Sequence, residues 1–187
     1  MSDYWNFVPL EKKHKRQEFD CGNNELNQYL KRYARQNDTK GISKAFVATK
    51  ADTPLVIDGY YTISSSIIEF SSISEDDRQK LPAYPVPAGG RECVPVVERR
   101  RSARACCIGR LAVDNFCQGQ GLGTELLVNA LLRIVKASNE IGIYAVRVDA
   151  IDEMAKKFYL KHEFIPFTDN ELSLFLPLKT IKQEFEQ

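Results

Sequence analysis

Residues Ile108–Ile134, IGRLAVDNFCQGQGLGTELLVNALLRI, decide how the rest of the chain is read. An apolar strand, Cys106–Val113, comes first, and Asp114 and Asn115 are turn formers. Gln118-Gly119-Gln120-Gly121-Leu122-Gly123 follows. Beyond it Leu122, Leu126, Ala130, Leu131, Ile134 and Val135 recur at helical spacing and predict one buried face. Glycines at the start of a helix leave several backbone N–H groups uncovered by side chains. Those groups, with the positive end of the helix dipole, suit a phosphate or diphosphate. A P-loop is excluded because no Gly-Lys-Ser/Thr occurs here, and the dinucleotide fingerprint is excluded because its third glycine would fall one residue later. On these residues alone, a glycine-rich turn leading into a packed helix is the plain alternative.

The chain has 187 residues, enough for one domain with a proper core. Lysine plus arginine is 26 and aspartate plus glutamate is 25, so attraction to nucleic acid must come from local patches. No apolar run is long enough to span a bilayer, and MSDYWNFVPLEKKHKRQ lacks the basic-then-apolar order of a signal peptide. Cys21, Cys93, Cys106, Cys107 and Cys117 show no C-x-x-C spacing, which reads as free thiols in a reducing cytoplasm. With only His14 and His162, no metal site is expected.

Gln118-x-x-Gly121-x-Gly123 matches the Q/R-x-x-G-x-G/A motif, and on it the chain resembles the GNAT superfamily of N-acetyltransferases. The resemblance spans nearly the whole chain. It implies a single α/β domain over residues 1–187, with a mixed, splayed sheet flanked by helices and acetyl-coenzyme A as co-substrate. It also assigns cofactor-binding residues: Leu111, Ala112 and Val113 on the strand, Gln118, Gly119, Gln120, Gly121, Leu122, Gly123 and Thr124 at the helix start, and Asp152 and Phe158 further on. In the family the loop amides hold the diphosphate, and backbone groups near Leu111 and Val113 pair with the pantetheine arm.

The segment FDCGNNELNQYLKRYARQN, residues 19–37, narrows the resemblance to the toxin acetyltransferases of bacterial toxin–antitoxin pairs. These acetylate the amino group of aminoacyl-tRNA and so inhibit translation. The implied partners are aminoacyl-tRNA and a ribbon-helix-helix antitoxin, with a homodimer left open, no membrane, and a cytoplasmic location. Two competing readings stand beside this one. One is a GNAT enzyme acting on a small amine or a protein; the other is a non-catalytic acyl-coenzyme A sensor.

In chain order, Tyr4–Leu10 is expected to be an edge strand, and Phe19–Asn24 a turn with helix-capping chemistry. A helix is expected over Glu25–Gln36 with Leu26, Tyr29, Leu30 and Tyr33 as its apolar stripe. Lys31, Arg32 and Arg35 lie off that stripe, either as solvated charge or as an RNA-contacting face. Ser43–Thr49 and Leu55–Phe70 read as two strands, and Gly59 within the second suggests a bulge or a close backbone approach. Leu81–Pro87 is too proline-rich for a central element. Ala88–Arg104 departs from the family pattern as an insertion, either a basic flap that touches phosphates or a solvated loop. A strand at Ile143–Val148, a helix capped by Asp152 and running through Lys161, and a hairpin of Ile165–Phe167 with Leu172–Leu178 complete the reading.

Tyr159, in Ala155-Lys156-Lys157-Phe158-Tyr159, matches the family's A-x-x-F-Y and is the candidate catalytic residue. Attack of an amine on a thioester expels a thiolate, and a phenol with a reference pKa of about 10 can protonate it. The plain alternative is core packing with the hydroxyl at the rim. His162 is expected to be a helix-end histidine on the dipole rather than a base. Arg110 sits inside an apolar strand, which demands a partner: a carboxylate, or a phosphate of the acceptor RNA. Two departures from the family stand out: Asp152 replaces a frequent asparagine, and Glu163 stands where glycine is usual, predicting a strained turn after the helix that carries Tyr159.

Overall fold

The computed structural model describes residues 5–76 and 102–185. The proline stretch Leu81–Pro87, Cys93 and inserted residues 88–101 lie outside them. The described residues gather into two compact units, one drawn from Met1–Ser65 and Cys106–Ile141, the other from Ser66–Ala105 and Gly142–Gln187.

In the first unit the strand order is β1 (Trp5–Pro9), β2 (Lys44–Lys50), β3 (Gly59–Glu69), β4 (Ser102–Val113), the last two strands also contributing residues to the second unit. β1 pairs antiparallel with β2, Trp5 opposite Lys50 and Pro9 opposite Phe46. β2 pairs antiparallel with β3, Lys44 opposite Ile63 and Ala48 opposite Gly59. The expected edge strand is therefore present, and Pro9 sits at its end, where a missing N–H is tolerated. β4 begins earlier than the apolar pattern indicated. Ser102–Arg104, read above as the end of the insertion, are already strand, because strand pairing tolerates the polar side chains of an exposed face.

The first helical segment is not one regular helix. It comprises α1 (Asn24–Gln28), a π-helical turn (Tyr29–Tyr33) and α2 (Ala34–Thr39). The Ala34 N–H reaches back five residues to the Tyr29 carbonyl, which inserts one residue into the helical repeat. The predicted stripe is displaced as a result. Leu30 and Ala34 are fully buried, whereas Tyr33 is 50% exposed. Phe19, Leu30, Ala34, Val47 and Tyr60 share one core cluster, into which alanine fits where tyrosine would not. The Tyr60 hydroxyl donates to the Leu26 carbonyl at 2.9 Å.

α3 (Leu122–Ala137) buries Leu122, Leu126, Leu127, Ala130, Leu131 and Ile134, close to the predicted face, with Leu127 added and Val135 half-buried. Gly59 is a close approach, as expected. A Cβ there would lie 2.8 Å from Leu126 Cδ1 and 3.1 Å from the Ala112 carbonyl oxygen.

The second unit carries the strand order β4, β5 (Ala145–Asp149), β7 (Ser173–Pro177), β6 (Ile165–Pro166), with α4 (Glu153–Lys161) between β5 and β6 in sequence and α5 (Leu178–Phe185) at the end. The Tyr144 N–H donates to the Arg104 carbonyl at 2.8 Å beside the start of β4. β5 pairs antiparallel with β7, and β6 with β7, which gives the expected hairpin. Its core holds Ile68, Ile73, Ala105, Ala145, Phe167 and Phe175, with the two phenylalanine rings stacked at 5.1 Å. α5 was not anticipated. Leu178 and Ile181, three residues apart, are its buried face.

Gly59→Ala should destabilise the protein by about 1–3 kcal/mol, since the new methyl must displace Leu126 or the β4 backbone. Urea unfolding should show this as a lower midpoint with an unchanged slope.

Candidate active site

The glycine-rich loop is built on buried polar groups of the first unit. Asp114 follows β4 directly and is itself buried. One of its oxygens accepts from the Phe116 N–H at 3.1 Å and the other from the Asp20 N–H at 2.9 Å, while its own N–H donates to the Asp58 carbonyl at 2.8 Å. The Asn115 N–H donates in turn to the Asp20 carbonyl at 2.8 Å. Gln118 Nε2 lies 3.1 Å from the Val113 carbonyl, 3.2 Å from the Cys21 carbonyl and 3.2 Å from Asn115 Oδ1. The side-chain donors of Gln118 thus face the protein. Gln120 Nε2 likewise donates to the Phe116 carbonyl at 2.8 Å.

Gly119 and Gly121 have φ of +75° and +89°, and a Cβ at either would meet nothing within 4 Å. Glycine is required here by the left-handed backbone, not by crowding. Gly121 caps α3, its carbonyl accepting from the Thr124 and Glu125 N–H groups at 3.0 and 3.2 Å. Open space stands in front of this loop, at the positive end of a 16-residue helix. That combination fits a diphosphate. Leu122 is buried, so it can offer only backbone to a ligand, whereas Gly119, Gln120, Gly121 and Thr124 are exposed and Gly123 is half-buried. On β4, Ala112 packs into the core and Leu111 and Val113 are half-buried.

Arg110 has a partner that neither sequence reading anticipated. Its guanidinium lies 3.7 Å from the centre of the Tyr29 ring. A cation over an aromatic face resolves the cost of a charge on this strand. The Tyr29 hydroxyl is anchored by Ser43 Oγ at 3.1 Å and Asn37 Nδ2 at 3.2 Å. On the irregular helix, Lys31 and Arg35 are half-buried and Arg32 is exposed.

Tyr159 belongs to the second unit. Asp152 caps α4, accepting from the Ala155 N–H at 2.8 Å, so one carboxylate oxygen is engaged by the helix. Tyr159 is only 6% exposed, with its ring centre 5.3 Å from that of Phe158 and 5.4 Å from that of Phe164. The helix ends with Glu163 at φ +64°, the sole positive-φ non-glycine residue among the described residues. The Glu163 N–H donates to the Leu160 carbonyl at 3.1 Å, and the Phe164 N–H donates to the Tyr159 carbonyl at 3.2 Å. This is a Schellman closure with its usual apolar contact, here Phe164 against Tyr159. The catalytic candidate is thereby held by the helix stop itself. His162 stacks edge-on to Phe158 at 4.9 Å, and burial, aided by Lys161, lowers its pKa. It stands at the C-cap of α4, the helix-end position expected of it, while its lowered pKa disfavours the charge that would act on the dipole.

Among the described residues no group of His, Cys, Asp or Glu side chains could hold a metal, and Cys21, Cys106 and Cys117 are free thiols. The sequence predicts for Phe19–Asn24 only a turn with helix-capping chemistry. Asn23 does cap α1, accepting from the Leu26 N–H at 3.1 Å. The second role of the turn, bracing the glycine loop, depends on residues more than 90 positions away and left no local signal.

Residues 87–166 match the acetyltransferase (GNAT) domain family. The tRNA-acetylating toxin of Mycobacterium tuberculosis is 31% identical over 161 residues, which cover 86% of this chain and 84% of the relative. Among solved structures, a tyrosine-to-phenylalanine mutant of KacT is similar with a TM-score of 0.83 at 30% identity, covering 97% of this chain and 99% of that one. AtaT complexed with acetyl-methionyl-tRNA has a TM-score of 0.81 at 28% identity, with coverage of 97% and 99%. AtaT has also been solved in complexes with its antitoxin AtaR, two with acetyl-coenzyme A and another with DNA. These similarities establish the fold as a mixed seven-stranded sheet with flanking helices.

Glu163→Gly should stabilise the protein by about 1 kcal/mol, because it removes a left-handed strain that exceeds the entropy glycine costs. A raised urea midpoint checks this. The pKa of buried His14 is also lowered, chiefly by burial. Both histidines bind fewer protons when folded than when unfolded, where the pKa is about 6.5. Their contribution is therefore complete above that pH and lost as the pH falls through it toward the lowered folded values. The thermal midpoint should hold from pH 7 to 8 and drop between about pH 6.5 and 5. A His14→Gln/His162→Gln variant should show a flatter profile.

Proposed function

This chain belongs to the GNAT acetyltransferase family, and from that premise we propose that it is a toxin that transfers acetyl from acetyl-coenzyme A to the α-amino group of aminoacyl-tRNA and so blocks translation. The observation that carries the acceptor class is the similarity, across nearly the full length of both chains, to AtaT seen with acetyl-methionyl-tRNA. The tRNA-acetylating relative supports the same class. By the same reasoning an antitoxin silences the protein, as AtaR complexes suggest for AtaT. Residues 1–187 work as one acetyltransferase domain in the cytoplasm, where charged tRNA is found. No helix among the described residues is long and apolar enough to cross a membrane.

The thioester supplies an activated acyl group: the amine forms the new C–N bond, the C–S bond breaks, and the sulfur leaves with the electron pair. The glycine-loop amides of Gly119 to Gly123 hold the diphosphate with the Thr124 side chain beside them, and the backbone of Leu111–Val113 aligns the pantetheine arm. Asp152 and Phe158 complete the cofactor-binding set. The Tyr159 phenol gives its proton to the departing sulfur. Lys31, Arg32, Arg35 and Arg110 serve the RNA. The amine of an aminoacyl ester is no more basic than an α-amino group, about 7.7–8.0, so much of it is neutral at cell pH. Its last proton can pass to water. A lysine acceptor, at about 10.4, would need a base that this reading does not assign.

Purified protein incubated with acetyl-coenzyme A should acetylate charged tRNA in preference to polyamines and peptides. Modification of polyamines or peptides alone would overturn the assignment. Tyr159→Phe should lower turnover by roughly 10²–10⁴-fold while calorimetric affinity for acetyl-coenzyme A stays near that of the parent. Unchanged turnover would remove the phenol from the proton transfer.

A further inference from the structure

Asn27 is a buried polar residue of α1 that no step of the proposed chemistry uses. Asparagine is a weak helix former, and a buried amide is costly unless it is hydrogen-bonded. Capping does not explain it, because Asn23 already caps α1. Its side chain instead reaches back past the helix start. Oδ1 accepts from the Cys21 N–H at 3.0 Å and from the Cys21 thiol at 3.2 Å. Nδ2 donates to Asp20 Oδ1 at 2.7 Å, and the same oxygen accepts from the Gly22 N–H at 2.9 Å. One side-chain amide thus fixes both Asp20 and Cys21. Those two residues make three bonds to the base of the glycine loop: the Asp20 N–H to Asp114, the Asn115 N–H to the Asp20 carbonyl, and Gln118 Nε2 to the Cys21 carbonyl. All three use backbone atoms of the turn, so a turn that rotates loses them together. Gly22, at φ +80°, gives the turn freedom that such an outside hold removes.

We propose that Asn27 is a positioning residue for acetyl-coenzyme A, holding the Asp20–Cys21 turn so that Asp114, Asn115 and Gln118 stay fixed behind the diphosphate-binding amides. The proposal rests on the reading of the glycine loop as the cofactor site. Asn27 touches no ligand. It acts through Asp20 and Cys21, and through them on Asp114 and Gln118. The segment 19–37, which narrowed the family resemblance without supplying any chemistry of its own, thereby gains a role on the cofactor side. Asn27 was not singled out by sequence. Its partners lie six and seven positions earlier, outside the three- and four-residue spacings that pair side chains along a helix.

The test measures calorimetric affinity for acetyl-coenzyme A in Asn27→Ala, Gln118→Ala and the double variant. Asn27→Asp serves where Asn27→Ala does not fold: it keeps the size and the Oδ1 acceptor and replaces only the donor to Asp20. Either Asn27 variant should weaken cofactor binding about 10-fold, the effect of one buried hydrogen-bonding group. KM for acetyl-coenzyme A should rise to match, while kcat at saturating cofactor holds. If Asn27 acts through the loop, the double variant should bind within about 2-fold of the weaker single variant, because both substitutions release the same turn. Were Asn27 only a support for α1, the thermal midpoint would fall and the two losses of affinity would multiply. Multiplying losses, or unchanged cofactor affinity in Asn27→Asp, would overturn the proposal. A fall in kcat with cofactor affinity intact would also overturn it, in favour of a role at the acceptor. A parent protein with no affinity for acetyl-coenzyme A would overturn the cofactor reading itself; a parent that binds it, with Asn27 variants that bind equally well, would overturn only the positioning role.

Discussion

The proposed hold of the glycine loop on a ligand through bare amides depends on side chains fixed from behind. Gly119 and Gly121 adopt left-handed backbone, and a loop of this kind has little to keep it in one conformation. The restraint comes from Asp114 and Gln118, which between them engage Asp20, Phe116, Val113, Cys21 and Asn115. Asp114 is buried, so these bonds form in a medium where they are stronger than in water and where losing one is costly. Asp58 extends the network. It accepts from the Trp5 indole at 3.0 Å, and burial raises its pKa. Burial, then the nearby Asp58 charge, pushes the Cys117 thiol up to about 11. The sulfur beside the loop is therefore an inert packing group and does not compete as a nucleophile.

The second unit solves a related problem with fewer parts. A phenol proposed as a proton donor must be held still, yet Tyr159 lies on a helix of only nine residues. Both ends of that helix are secured. Asp152 closes the start, and the Glu163–Phe164 turn closes the end through two backbone bonds and a ring contact with Tyr159. The left-handed Glu163 is the cost of this arrangement. A non-glycine residue there stores about 1–2 kcal/mol of strain, and the helix stop still forms because Phe164 is buried against the tyrosine.

Much of this was legible in the sequence where a regular period or a fixed spacing carried it. The strand, glycine loop and amphipathic helix of residues 108–134 follow from periodicity, the Asp152 cap from residue type, and the turn at Glu163 from the missing glycine. Other features were illegible for identifiable reasons. The π-helical turn inserts one residue into a 3.6-residue repeat, so a stripe that reads correctly through Leu30 points to Tyr33 when Ala34 is the buried residue. The Tyr29 partner of Arg110 lies 81 positions away in sequence (110 − 29), and charge-pairing rules look for a carboxylate. α5 was hidden because its apolar face is only Leu178 and Ile181 amid lysines and glutamate. β4 starts inside a charged run, which hydrophobic pattern cannot register.

The proposed functional features coincide with the departures from regular structure, and the coincidence has a physical basis. A regular helix satisfies its own backbone groups and a regular strand those of its neighbours, leaving little to offer a ligand. Left-handed glycines break that closure at the start of α3 and free amides for an anion. The left-handed Glu163 breaks it at the end of α4 and fixes a phenol. The π-helical turn breaks it within the first helix, where the Lys31 carbonyl accepts from Arg16 and Tyr33 is turned outward. Each irregularity survives because a buried neighbour compensates for it: Asp114 behind the loop, Phe164 beside the phenol, and Ala34 in the core beneath the turn. Restoring regular geometry at any of these places would make the local backbone more stable and would remove the group the proposed chemistry needs.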